Sequence, residues 1–374
     1  MQSRRISFTD LEPGQPLPWD VYAQHASGAP LLRKGQIVTD TAPLQQWLNG
    51  SPDGLQAGED NPPSVLRLLN LANRRLEHLL LDLRNEHNAE RELRDIARDV
   101  IAAVEIHRDI ALACIFLNQI AGTYAVRHCI ETAVVAALVA LGMSKRHEEA
   151  QTIVAATLTM NVGMLRHHET FQNQHGPLSQ EEREIVRRHP EDSADLLKSA
   201  GVDDEEWLRC VVMHHENDDG SGYPGGKTSE EITQNARLIG LADRYCAQVS
   251  ARNYRRSLLP DQALARLFLE HQTTVDGALA QEFIRQLGKF PPGCLVRLHS
   301  GEIGVVVQRN GSDDAVHIHA LRDAGGALCH SDALPFTLRR ISSDAASAID
   351  EVLHEDEADV RFSMKNIWGQ LACL

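Results

Sequence analysis

No stretch of this 374-residue chain reaches eighteen uninterrupted apolar residues, so no membrane-spanning segment is expected. An apolar leader is also missing. Met1 to Ser7 include Arg4 and Arg5 and run on to Asp10 and Glu12 without a hydrophobic segment, and a cytoplasmic protein is expected. Paired cysteines are lacking: the seven, at positions 114, 129, 210, 246, 294, 329 and 373, are scattered through mostly apolar patterns. That excludes a disulfide frame and reads as reduced core thiols. Positive charge is short as well, with 37 Lys and Arg against 52 Asp and Glu and a net charge of -15. A nonspecific binder of nucleic-acid polymers needs a basic face, so that class is excluded and any nucleotide ligand must be small and met locally.

What is present suffices for a globular protein of two or three units, with 43% apolar residues. Punctuation and periodicity divide it. Residues 1–60 alternate around Gly14 and Gly28, notably at Trp19 to Ala23 and Leu31 to Val38, and predict a small β-containing lobe. After Pro62-Pro63, residues 61–97 carry Leu66, Leu69, Leu76, Leu79, Leu80 and Leu83 at helical spacing. They predict one long connecting helix able to form a homodimer with a second copy. Residues 98–289 read as helix almost throughout. Beyond Pro291-Pro292-Gly293, residues 290–340 alternate as a β-meander, and the acidic, then amphipathic tail 341–374 predicts a docking helix. The fold class expected is mainly α, an all-helical bundle with small β lobes on either side.

Chemistry concentrates at residues 213–226, where Met213-His214-His215-Glu216 closes an apolar helical run and Gly220, Gly222, Pro224, Gly225 and Gly226 force the chain out of it. Adjacent helical side chains point about 100° apart, so the pair alone is equally compatible with one buried, hydrogen-bonded histidine and one solvated one. Two further polar residues ending apolar stripes favour a metal: His189, 25 positions before His214, and Asp243, 28 after His215. Imidazoles with one carboxylate suit Fe, Mn or Zn better than Mg or Ca. His147, His175 and His271, and the His167-His168-Glu169 run, lie in polar stretches and read as solvated.

The segment His214 to Pro224 resembles the second signature of the HD-GYP domains, the bacterial cyclic di-GMP phosphodiesterases of the HD superfamily. Ala242-Asp243-Arg244-Tyr245 is similar to the family's Ala-Asp step. Ser250 to Arg255 resembles its Ser-x-Arg-Pro-Tyr-Lys/Arg stretch, with Asn253 in place of the proline. The likeness extends from about Tyr124 to Leu287. It implies a metal set of His128, His189, His214, His215 and Asp243, and substrate contacts from Arg252 and Arg255. It also implies a loop, Gly220, Gly222, Tyr223 and Pro224, able to meet a partner such as a diguanylate cyclase (GGDEF) domain. Tyr124 stands where some members carry an extra glutamate ligand.

One departure dominates. The family's His-Asp-x-Gly-Lys signature falls on Met160-Asn161-Val162-Gly163-Met164, with Gly163 and the downstream Gly176 to Glu182 fixing the register. A thioether is a poor ligand for such ions, and a neutral amide offers one coordinating oxygen and cannot bridge two cations. Met164 also removes a cation from the phosphate side. No residue is therefore assigned a catalytic role, and one Fe or Mn ion, or none, is expected. The expected function is cyclic di-GMP signalling by binding the dinucleotide or a partner, with impaired or absent hydrolysis. The competing reading is an active metal-dependent phosphodiesterase with a reduced ligand set.

Overall fold

A computed structural model describes residues 5–6, 21–23, 55–57, 64–172, 176–250, 256–270, 276–309, 316–329 and 349–374. The backbone forms two compact units, Met1–Pro63 and Ser64–Leu374. In the first, β1 (Arg5–Ile6), β2 (Val21–Ala23) and β3 (Leu55–Ala57) make an antiparallel sheet with β3 central. The strand expected at Leu31 to Val38 lies outside the described residues.

The second unit is mainly α. Ser64 caps α1 (Val65–Asp82) by accepting from Arg67 N, and Leu66, Leu69, Leu76 and Leu80 bury one stripe of it. The single helix expected across 61–97 is corrected here. A 3-10 turn at Leu83–Asn85 ends the first helix, and α2 (Ala89–Ile106) begins after Asn88. Asn85 and Asn88 are residues whose amides compete with the helical ladder, and Ala89 N donates instead to Ala200 O at 2.9 Å. The leucines offered for homodimerisation, Leu66, Leu69, Leu76, Leu80 and Leu83, belong to the protein's own core, so this face is not available to a second copy.

α3 (Arg108–Phe116) leads to α4 (Tyr124–Gly142), the axis of the unit, whose Ala133, Val134, Val135, Ala136 and Ala137 are fully buried. Small side chains let α1, α2 and α5 (His147–Thr159) approach from several sides. α4 is long and apolar enough to cross a membrane, but 83% of that stretch is buried inside the protein, the behaviour of a core helix. α6 (Leu165–Gln172), α7 (Gln180–Ser199), α8 (Glu205–Met213), α9 (Gln234–Val249), α10 (Pro260–Glu270) and α11 (Gly277–Leu287) complete the helical part. Trp207 of α8 is fully buried and donates from Nε1 to Thr159 Oγ1 at 2.9 Å, fixing α8 on α5.

Then β4 (Leu295–Leu298), β5 (Ile303–Arg309), β6 (Val316–Arg322) and β7 (Ile349–Leu353) form an antiparallel sheet ordered β6-β5-β4-β7. The tail thus supplies an edge strand and two short helical turns, Glu355–Ala358 and Met364–Trp368, where a single docking helix was expected. It returns to the start of α1, with Ser64 Oγ donating to Leu371 O at 3.3 Å and Arg67 to Leu374 O at 3.1 Å. Cys114, Cys129, Cys210, Cys246 and Cys294 are buried free thiols.

Candidate metal centre

Two interruptions of the helical ladder build the centre. Within α7, Pro190 lacks an N–H, so the Val186 carbonyl loses the donor that residue i+4 normally supplies. His189 Nδ1 takes that carbonyl at 2.6 Å. At the end of α8, carbonyls have no intrahelical donors, and His214 Nδ1 takes Val211 O, also at 2.6 Å. A bond from Nδ1 to a carbonyl requires the proton on Nδ1, so each neutral ring presents its Nε2 lone pair. The two Nε2 atoms face each other at 3.3 Å. With both as acceptors, a bound cation would satisfy the pair.

His215 completes the group: donor atoms of His189, His214 and His215 all lie within 4.8 Å of one another. His189 and His214 are buried, and the His215 ring is 4.0 Å from that of His214 and 5.0 Å from that of His189. Burial lowers His214, and lowers His215 further with help from the neighbouring His214, so both rings favour the neutral, ligand-competent form. Carbonyl-pinned imidazoles with convergent lone pairs fit one borderline divalent ion.

Beside this trio, His128 Nε2 lies 2.8 Å from Asp243 Oδ1, both residues being buried. Burial alone would raise the Asp243 carboxyl, yet the hydrogen bond from His128 holds it far below the usual carboxylate range. Tyr124 stacks on His128, centroids 5.5 Å apart and planes within 9°. The five expected ligands thus form two groups, three imidazoles and one imidazole–carboxylate pair.

Asn161 follows the end of α5, is 3% exposed, and its Oδ1 has no hydrogen-bond partner. Its side chain bonds the Cys129 thiol, which burial, reinforced by Asp243, pushes up to about 12. An orphaned amide oxygen is compatible with one coordination bond, but it brings no charge to hold a second ion. Met160 is fully buried in the apolar core, and Met164 is half-buried. Gly163 N donates to Ser193 Oγ, which donates to Met160 O, each at 2.8 Å, so main-chain bonds hold the turn whatever side chains it carries.

The loop after His215 is closed by its own residues. Glu216 accepts from Gly225 N at 2.6 Å and Lys227 N at 2.9 Å, and Tyr223 N donates to His215 O at 3.2 Å. A side chain at Gly222 would come within 2.4 Å of Asn217 N, so the turn needs glycine there. Gly220 has φ 77°, and the Tyr223–Pro224 peptide is cis. The Tyr223 ring lies 4.7 Å from that of His215, and burial raises its phenol. α9 clamps the loop at two points about two turns apart on one face: Arg237 on Asp218 at 2.7 Å and Arg244 on Asn217 at 2.9 Å.

Arg252 and Arg255 lie outside the described residues, as do His175 and His271. His147 and His167 are exposed, as expected of solvated histidines.

The sequence reading missed Arg244, Arg187 and Glu131. Glu131, one turn after His128 and 1% exposed, was visible as a lone carboxylate among apolar residues of α4. It accepts from Ser250 Oγ and faces Arg127 Nε at 3.4 Å. Burial raises its carboxyl, opposed by Arg127 and by the Ser250 hydrogen bond. A carboxyl raised on folding contributes stability that is fully present below its unfolded value and is lost as pH rises through the folded one. Glu131→Gln is therefore expected to gain melting temperature over the parent at pH 8 and to match it near pH 4.5. A pH-independent gap between the two melting curves would rule out this origin.

A helical body that gathers four imidazoles and a buried carboxylate from α4, α7, α9 and the end of α8 defines a class of histidine-rich helical sites suited to a metal. Comparison with known proteins narrows it. The family model described as HD domain matches residues 81–279, more than half of the chain. The cyclic di-GMP phosphodiesterase PA4108 of Pseudomonas aeruginosa is 30% identical over 219 residues, 58% of this chain and 52% of that protein. The response regulator RpfG of Xanthomonas campestris, also a cyclic di-GMP phosphodiesterase, is 31% identical over 152 residues, 40% of either chain. PdeB of Borreliella burgdorferi, another cyclic di-GMP phosphodiesterase, is 23% identical over 191 residues, 51% of this chain and 50% of that one. The chain spans about half the length, or less, of these relatives. It belongs to the HD domain family.

Proposed function

We propose that this protein is a cytoplasmic cyclic di-GMP signalling module that binds the dinucleotide in its helical domain, about residues 98–289, and hydrolyses it poorly or not at all. The observation that carries the reading is Asn161: a neutral amide with an orphaned oxygen occupies the sequence position where the resembled signature has a bridging carboxylate. His189, His214 and His215 would hold one Fe or Mn ion. Bound there, it would polarise a phosphate oxygen as a Lewis acid. Asp243 is engaged by His128 and carries the only carboxylate charge among the residues proposed as ligands, so a second dication would meet little compensation. The His189 and His214 rings would orient the ion, Tyr223 flanks His215, and Arg252 and Arg255 are proposed to take phosphate or guanine. Gly220, Gly222, Tyr223 and Pro224, in a loop braced by Arg237 and Arg244, offer a rigid surface to a diguanylate cyclase partner. Residues 1–60 and 290–340 are accessory lobes in this scheme.

The intact imidazole trio favours one other reading, slow hydrolysis supported by a single ion. Calorimetric titration of the metal-loaded protein with cyclic di-GMP, with chromatography of the same samples for linear dinucleotide, separates the two. Saturable binding without product is expected. Binding with many turnovers per chain would establish the enzyme, and no binding would remove both readings.

A further inference from the structure

Met164 leaves the imidazole trio without the basic residue of the related signature, yet a guanidinium stands at its mouth. Arg187 precedes His189 by two residues on α7 and is exposed, its Cζ 5.9 Å from the centroid of the Tyr223 ring. That ring lies 4.7 Å from His215 and 6.3 Å from His189, so cation, phenol and imidazoles form one continuous wall. Neighbouring arginines of α7 are spent elsewhere: Arg183 donates to Leu178 O at 2.6 Å and Arg188 pairs with Asp192 at 3.3 Å. Among the described residues, Arg187 has no carboxylate partner. We propose that Arg187 is the anion-docking residue of this centre, receiving a phosphate of the bound nucleotide while Tyr223 holds the guanidinium plane.

The chemistry fits the geometry. A guanidinium presents paired N–H donors to two phosphate oxygens, whereas an ammonium offers a point charge. Resting on an aromatic face also restrains the side chain before the ligand arrives, which limits the rotamer entropy lost on binding. Arg187 reaches the trio through Tyr223, whose ring lies 4.7 Å from that of His215, so a phosphate docked on it sits beside the imidazoles.

This inference rests on the nucleotide reading above, and two probes keep them separable: cyclic di-GMP and inorganic phosphate, each titrated into Mn-loaded full-length protein. For Arg187→Gln, affinity for either probe is expected to fall about 10-fold or more, the scale of one charge-assisted phosphate contact. Arg187→Lys is expected to recover part of it, and metal content stays at the parental level in both. Parental affinity falls as salt rises from low to physiological strength, and the Gln variant flattens that dependence. If phosphate binding depends on Arg187 while cyclic di-GMP does not bind at all, the docking role stands and the nucleotide reading falls. Equal affinities for parent and Arg187→Gln with both probes, or loss of metal in that variant, would overturn the docking role.

Discussion

The triple substitution Met160→His, Asn161→Asp, Met164→Lys is expected to raise divalent metal from one ion per chain to two and to increase release of linear dinucleotide by about 1,000-fold or more. The magnitude follows from what each residue withholds. One misplaced electrostatic donor typically costs about 100-fold to 1,000-fold in turnover, and this chain carries Asn161 and Met164 where the resembled signature has a bridging carboxylate and a lysine. The scaffold should accept the change. The turn at 162–164 is held by Gly163 N, Ser193 Oγ and Met160 O, not by the side chains replaced. Asn161 Oδ1 is already buried without a partner, and Asp keeps that oxygen while exchanging the amide that bonds the Cys129 thiol for a second, charged one. Met160 is the demanding position, since its side chain is fully buried in the core and a histidine must turn toward the site. Asn161→Asp by itself is the cleaner intermediate, with metal content rising ahead of turnover. A folded triple variant with one ion and no product would show that residues 160–164 do not face the imidazole trio as assigned.

The second large effect is expected from Gly240→Ala. Gly240 lies on α9, three residues before Asp243, and a Cβ there would stand 2.3 Å from His214 O, a backbone atom with no rotamer by which to yield. The close approach sets the spacing between the helix carrying Asp243 and the turn carrying His214. Separating them breaks the registration of the two ligand groups, so metal affinity is expected to fall about 10-fold to 100-fold, the cost of disturbing supports around a centre. Overpacking of this kind also destabilises by about 1–3 kcal/mol. Metal titration followed by thermal melting measures both. A variant that keeps parental metal affinity despite a lower melting temperature would show that the helix spacing does not govern the site.

Much of the centre was legible because its residues punctuate helices. His189 before Pro190 and His214 at the end of an apolar run stood out, and the structure explains why such positions suit ligands: a broken ladder frees a carbonyl that fixes the ring. Gly163 carried the register that exposed the Met160-Asn161 substitution. What could not be read was pairing at a distance. Nothing in spacing reveals that His128 bonds Asp243, 115 residues away, or that Glu131 meets Ser250. Arg187 and Arg244 drew no reading because helical sequence does not say which loop will fold over them.

The fold followed similar lines. Alternation marked β4, β5 and β6, whose pairing is local. It missed β7 at the sheet edge, because Ile349–Leu353 pairs with a strand more than fifty residues earlier. The break at 83–88 escaped notice because Arg84-Asn85-Glu86-His87-Asn88 contains neither proline nor glycine to mark it; a 3-10 turn and a tertiary bond from Ala89 to Ala200 separate the helices, and neither leaves a periodic trace.

Anomalous diffraction at the manganese edge from crystals of the Mn-soaked protein tests the central claim most directly. The expected map has one peak, among the Nε2 atoms of His189 and His214 and the His215 ring, with Asp243 still bonded to His128. Two peaks a few ångströms apart with the Asn161 side chain between them would contradict it.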